Sequence, residues 1–404
     1  MWHRDRVTAP DTGRTRQLLL ICVVEMLAMG LWFSASAVVP QLTTDWGLSS
    51  AGAAWLTTSV QLGFAAGALT SAILNLPDRI TPTRLIGLAA LAGAAANAAV
   101  ALVAHGLAEA VPLRFLTGMA LAGVYPPGIK LMASWFRSGR GLAVGALIGA
   151  LALGSGSPHL LNASSGVGWR TVLAAASGLA VAAAALSAVA LRDGPYAEAA
   201  PPFQPAYVRR MFADRAQRLV CFGYFGHMWE LYAVWTWVPV YAAASFAAAD
   251  GSDPSRAAVE LTAFAAVGIA GLAGCVLAGA VSDTRGRVEV TVASMAVSGA
   301  CCLLAAAVYG ASPVVVVALL LVWGMAVIAD SAQFSTALTE VADAAYVGTA
   351  VTAQTAIGFM ITVVSIRLLP TVQDAVGWRY AFAALAVGPA LGIVAMLRVR
   401  GLVQ

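Results

Sequence analysis

Long apolar runs, each close to the length of one membrane crossing, alternate with short polar connectors along the whole 404-residue chain. The runs are continuous and do not alternate residue by residue, so they predict helices and not barrel strands. A helix needs about 20 apolar residues to cross about 30 Å of hydrocarbon, where the backbone finds no water to bond. Twelve spans are expected, at 18–40, 52–76, 84–104, 112–134, 141–161, 170–191, 218–242, 259–281, 290–309, 314–336, 347–369 and 379–398. The fold class is therefore all-α and polytopic, with short connectors and no soluble domain. The first span is too long for a cleavable signal peptide, carries Glu25 and leads into Trp32 and Phe33, so it should stay as an anchor.

Composition agrees: 60% of residues are hydrophobic and 10% charged, too little polar surface to cover a soluble fold of this size. Charge then orients the chain. An even number of spans puts both ends on one face, and 18 of the 23 lysines and arginines fall on that face. By the positive-inside rule both termini are cytoplasmic, in the inner membrane of a bacterium. The net charge of +4 is a consequence of topology and gives no reason to expect nucleic acid as a partner. Cys22, Cys221, Cys275, Cys301 and Cys302 lie in apolar segments without metal-ligand or disulfide spacing and read as small packing residues.

The longest connector, 192–217, is rich in proline and arginine and divides the chain into six spans at 1–191 and six at 218–404. The two parts look like copies. Glu25-x-x-Ala28-x-x-x-Trp32 reappears as Glu230-x-x-Ala233-x-x-x-Trp237, and Asp78 as Asp283, at a shift of 205. Gly118-Met119-Ala120 matches Gly324-Met325-Ala326 at 206, and Gly168-Trp169-Arg170 matches Gly377-Trp378-Arg379 at 209. The offset drifts slowly, as small loop insertions would make it.

A parallel six-plus-six repeat with these motifs resembles the major facilitator superfamily, and the resemblance covers essentially the whole chain. The family's loop signature between spans 2 and 3 survives as Asp78-Arg79, with Arg84 following. Its second copy keeps Gly279, Asp283, Gly286 and Arg287 in step. The resemblance implies that these loops latch the halves on the cytoplasmic side. Arg114-x-x-x-Gly118 resembles the family's fourth-helix signature, whose arginine faces the central cavity. Gly145, Gly149, Gly154, Gly156 and Pro158 partly match a fifth-helix pattern of exporters, although small residues also simply let helices pack closely.

Ionisable side chains inside a span cost roughly 2.5 to 3.5 kcal/mol on insertion scales, so each needs a partner, water or a function. Glu25 and Glu230 are expected near the midplane, facing each other across a pseudo-symmetric cavity. Burial disfavours the charged carboxylate, which suits a group that loads and releases a proton during transport. His227, three residues before Glu230, shares its helical face and can relay that proton. Lys130, the chain's one lysine, follows Tyr125 near the inner end of span 4, and Arg114 lies near the outer end. Asp330, Gln333, Gln354, Asn97 and His159 complete the polar interior, and Trp32 and Trp237 are deep enough to wall a solute site.

These readings point to a secondary transporter of a small solute, coupled to protons and working as a monomer by rocking of two halves. A proton-independent facilitator or exchanger is the alternative. A non-transporting sensor would usually carry an added soluble domain. A membrane-embedded enzyme would need a nucleophile with its base or a metal cluster, whereas the four histidines lie on four segments and HExxH, GxSxG and GxxxxGK[ST] motifs are missing. No cofactor is implied.

Overall fold

The computed structural model describes residues 11–136, 139–164, 166–196, 203–400 and 402, without the side chains of residues 11, 12, 77, 78 and 344. The described chain is all-helical. Eleven helices are long and apolar enough to cross a membrane. They are α1 (Asp11–Phe33), α2 (Ser50–Ile73), α3 (Pro82–Val103), α4 (Leu107–Trp135), α5 (Arg140–Asn162) and α6 (Trp169–Ala190), then α7 (Arg215–Asp250), α8 (Arg256–Arg285), α9 (Arg287–Val308), α10 (Pro313–Val341) and the run Val347–Arg400.

That last run has 54 residues and would be about 81 Å long if straight, more than twice the hydrocarbon thickness. Gly377 breaks it with φ 76° and ψ 166°, a conformation that glycine tolerates at no steric cost. The break separates α11 (347–376) from α12 (378–400), so the chain crosses twelve times, with both ends on one face, here the terminal face.

Two spans are jointed. In α4 the helix stops at Leu121 and restarts at Tyr125, where Pro126 and Pro127 occupy a first turn that needs no proline N–H. In α10 the joint is Asp330. The wide turn Ala265–Ala270 in α8 is a π-helix, which leaves Gly268 against Gly156 of α5.

Within the first six spans α1 packs on α5 and α6, α2 on α4, and α3 on α4 and α6. The last six repeat this plan, with α7 on α11 and α12, α8 on α10, and α9 on α10 and α12. The glycine contacts repeat as well. A Cβ on Gly118 would stand 2.1 Å from the Val60 carbonyl oxygen, and one on Gly324 would stand 2.0 Å from that of Ala266. Only hydrogen fits at either place, so the shift of 206 between Gly118 and Gly324 is enforced by packing. The two sets meet along α2 with α11 and α5 with α8.

Candidate functional site: the seam between the two sets of helices

Aromatic side chains fill the middle of the seam. Trp32 of α1 is fully buried, with its ring centroid 4.9 Å from Phe64 of α2, 5.5 Å from Tyr232 of α7 and 5.5 Å from Phe359 of α11. Phe64 and Phe359 are 4.4 Å apart, and Phe33 stacks on Tyr232 at 6.3 Å. Four spans from both halves thus meet in one cluster. The Trp32 indole Nε1, the Gln354 Oε1, the Ser155 hydroxyl and both amide atoms of Gln61 are buried there or in the adjoining spans without a hydrogen-bond partner. Unpaired buried polar groups are costly in a finished core and suit a site that a polar solute completes.

Glu25 and Glu230 are both buried, at 2% and 1% exposure, yet they do not face each other. Glu25 lies against α4 near its terminal-face end, where Gly128 leaves room: a Cβ there would stand 3.0 Å from Oε2. Its Oε1 has no hydrogen-bond partner. Glu230 instead accepts hydrogen bonds from Trp323 Nε1 (2.6 Å), Ser298 Oγ (2.9 Å) and Cys302 Sγ (3.2 Å), all from its own half. Carried over at the shift of 206, Gly128 falls on Phe334, eleven positions beyond Trp323 and about 16 Å along a helix. The expected common depth is therefore wrong. The Glu-x-x-Ala-x-x-x-Trp match does not carry into space, because alanine and tryptophan recur by chance in such a chain and no contact enforces that offset.

His227 and Asp330 come together as the sequence suggested only loosely. His227 Nδ1 lies 2.9 Å from Asp330 Oδ1, within ion-pair reach though off the line of a good hydrogen bond, and Nε2 is 2.7 Å from the Ser331 hydroxyl. Both side chains are 2% exposed. The α10 joint at Asp330 positions this pair, with Phe334 packed on the imidazole at 5.4 Å.

Arg114 has a different task from the one expected. Fully buried, it donates to the carbonyls of Leu31 (2.8 Å), Trp32 and Leu56 (3.3 Å), to Ser34 Oγ (3.1 Å) and to Asn97 Oδ1 (2.9 Å). Helix α1 ends at Phe33, so the Leu31 and Trp32 carbonyls belong to its last turn and have no partner within the helix. A cation is favoured at that end. Neutral oxygens occupy its described contacts, so in this arrangement it holds α1 and α2 together and does not reach out to an anionic solute.

The remaining expected residues scatter. Trp237 donates to the Ile366 carbonyl (3.0 Å) and packs on Trp378, inside the second half and away from the seam. Gln333 accepts from Arg287 (3.2 Å) at the terminal face, where Arg287 also pairs with Glu340 at 2.7 Å. Gln354 Nε2 is 4.0 Å from Cys221 Sγ. Lys130 and Tyr125 are half-buried on the second piece of α4. Asp283 stands against the first turn of α5, so close to Gly141 that a Cβ would meet its Oδ1 at 2.4 Å. A carboxylate is favoured at a helix N-terminus. Gly279 approaches the Gly141 carbonyl beside it, and Gly286 has φ 91°. Arg79 ends the short helix Leu76–Arg79 and is exposed, whereas the Asp78 side chain lies outside the described residues.

His159 was expected in the polar interior, but its partners Glu260 and Asn162 were not. At the face opposite the termini, the far face, Glu260 of α8 meets His159 of α5 at 2.6 Å and accepts from Asn162 at 2.9 Å. Glu260 is the second residue of expected span 8, so counting it as an in-span charge would have flagged it. Among the described residues, no three His, Cys, Asp or Glu side chains are grouped to hold a metal ion.

No curated protein matches the chain. Among solved structures it is similar to the proton:xylose symporter XylE bound to 6-bromo-6-deoxy-D-glucose, with a TM-score of 0.75 and 15% identity over 98% of this chain and 97% of that one. It is also similar to a partially occluded, inward-open form of the xylose transporter XylE from E. coli, with a TM-score of 0.72 and 14% identity over 97% and 98%. At such identity the likeness is one of fold. The family model of the Major Facilitator Superfamily matches residues 21–366, most of the chain, and the protein belongs to that family of membrane transporters.

Proposed function

We propose that the protein is a secondary active transporter that moves a small polar solute by alternating access, with Glu25 carrying the coupling proton. The observation that carries this reading is the contrast between two buried carboxylates. Glu230 has three donors and is satisfied as a structural carboxylate, whereas Glu25 has Oε2 beside Gly128 and an Oε1 with no hydrogen-bond partner. A buried acid whose hydrogen bonds are incomplete is the better proton carrier, since neither protonation state is locked by its surroundings. The proton symport named for similar folds supports the same mechanism.

Residues 1–191 and 218–404 would rock against each other about the aromatic cluster, joined by 192–217, in a single chain that needs no partner. The excess of basic residues supports a cytoplasmic terminal face in a plasma membrane. Asp283 against α5 would then be the cytoplasmic latch, released when the halves part. The unpaired amides and indole at the seam favour an uncharged polar solute over an anion, because Arg114 is already occupied. The glycines of α5 lean slightly to export, but they also serve the seam with α8.

The test is solute-evoked proton flux in proteoliposomes that carry a pH-sensitive dye, screened across sugars, amino acids, anions and cationic drugs. Flux abolished by Glu25→Gln and kept by Glu230→Gln is the expected result. Solute movement without a proton signal, unchanged by Glu25→Gln, would instead make the protein a facilitator or exchanger.

A further inference from the structure

Four polar hydrogen bonds join the two halves directly among the described residues, and all lie at the far-face ends of α5 and α8. Glu260 of α8 is the centre. Its Oε2 is 2.6 Å from His159 Nδ1, and its Oε1 accepts from Asn162 Nδ2 at 2.9 Å. Arg256 of α8 donates to Asn162 Oδ1 and to the Val167 carbonyl (3.0 Å). The connection after α1 adds Gln41, which donates to Asn162 Oδ1 (2.8 Å), and the Ala37 carbonyl, which accepts from Asn162 Nδ2 (2.7 Å). The titratable and charged groups at the lock are therefore His159 from α5 with Glu260 and Arg256 from α8, while Asp45 of the α1–α2 connection lies beside Gln41 and Arg170 and accepts from Trp169 Nε1. His159, Asn162 and Glu260 are almost wholly buried.

We infer that His159 and Glu260 form a proton-binding site that locks the far face and opens it on protonation. The hydrogen-bond directions are fixed around Glu260. Arg256 and Gln41 both donate to the Asn162 oxygen, so the Asn162 amide must turn its N–H groups to Ala37 and Glu260. Oε1 thus always faces a donor. Between Oε2 and Nδ1 one proton fits: an imidazole or imidazolium N–H donates to a carboxylate, or a carboxylic O–H donates to a bare Nδ1. When a second proton arrives, an imidazolium N–H at Nδ1 and an N–H from Asn162 both confront a protonated acid, and its O–H has no acceptor. Two donors then face each other in a buried contact, which is the arrangement hydrogen bonding penalises most. The pair parts, and water at the far face hydrates the separated acid and imidazolium.

The sign follows: below about pH 6 a hydrated imidazole is already charged, the closed lock holds one proton between the pair, and only the separated Glu260 accepts a second, so acid in the carboxylate range opens the lock. The lock is distinct from Glu25, which lies towards the other face, and it works whether or not Glu25 couples protons to solute. An acidic exterior would thereby favour the state open to that side.

Distance measurement between spin labels tests this without solute. Ser164→Cys after α5 and Ala257→Cys on α8 are both exposed far-face positions, and the native thiols are buried or half-buried. In lipid nanodiscs, lowering the pH from about 6 to about 3.5, across the range in which a hydrated carboxylate takes up its proton, should raise the long-distance population several-fold. Glu260→Gln should leave that population equal at both pH values, and His159→Gln, which keeps a donor but does not titrate, should at least halve the change. A wild type with no pH response, or a response of the same size in both variants, overturns the lock. If one variant does not fold, the other still decides. Proton flux plays no part in the readout, so loss of the Glu25 mechanism would leave this result standing.

Discussion

Gly118 and Gly324 occupy equivalent places, each pressed on a carbonyl of the neighbouring span, yet four residues earlier the two halves differ: Arg114 in one, Leu320 in the other. Both side chains are fully or almost fully buried. In the first half α1 stops at Phe33 and the arginine bonds its last carbonyls. In the second half α7 runs on to Asp250, its carbonyls bond within the helix, and leucine suffices. The carboxylates divide the same way, with Glu230 saturated by three donors and Glu25 left short. A repeat thus conserves the close backbone contacts, while the polar groups placed on it diverge. One half becomes the tightly bonded frame and the other keeps an unfinished site.

The sharpest break of this contrast is at the two glutamates. Glu25→Gln should bring solute-evoked proton flux to background with a stability loss below about 1 kcal/mol, smaller than at Glu230, since Oε1 has no hydrogen-bond partner to lose. Flux and thermal unfolding measured on one preparation decide it. A mutant that transports normally would return Glu25 to the role of a structural acid.

Arg114→Leu copies the second half into the first. The Trp32 carbonyl would lose its described donor, while the Leu31 carbonyl would keep only Ser34 Oγ and the Leu56 carbonyl only its bond within α2. The expected cost is about 3 kcal/mol or more, seen as a large fall in unfolding temperature in detergent. Arg114→Lys should recover only part, because one ammonium cannot span the positions that the guanidinium fork reaches. Wild-type stability in the leucine variant would mean that α1 needs no such cap.

Glu230→Gln probes the frame more gently. The amide keeps an oxygen for Trp323 Nε1, while the Ser298 hydroxyl can rotate to accept from the new NH₂. A loss of about 1 to 2 kcal/mol with flux retained is expected. Flux lost together with intact stability would move the proton to Glu230 and invert the roles of the halves.

Much of the architecture was legible in the sequence because lipid leaves few choices: continuous apolar runs of crossing length must be helices, and twelve were found. Gly118 and Gly324 were legible as a repeat because contact forbids any other residue there. Span ends were less so. The α7 helix extends to Asp250, eight residues past its expected end, since alanines at 242–248 read as either helix or connector. Arg114 stood out as a buried charge, but its partners are mostly backbone carbonyls, which have no letter in a sequence. His159 and Glu260 are 101 residues apart on different spans, and nothing local joins them. The α1–α7 match misled for the opposite reason: three letters agreed where no contact required them to.

The smallest effect separates the seam from the lipid-facing surface through two glycines of neighbouring helices. A Cβ on Gly145 of α5 would stand 2.6 Å from the Cys275 carbonyl oxygen on α8, so Gly145→Ala must push the halves apart along a contact that Gly149 and Gly156 continue. Gly178 of α6 is exposed, and a Cβ there would meet nothing within 4 Å. At that position alanine only restricts the unfolded chain and favours the helix, adding up to about 1 kcal/mol. At Gly145 the same helix gain is offset by overpacking of about 1 to 3 kcal/mol, for a net loss. Opposite shifts of unfolding temperature from one chemical change are therefore expected. Equal shifts would mean that α5 and α8 are loosely apposed, and that the α5 glycines serve something other than closing the halves.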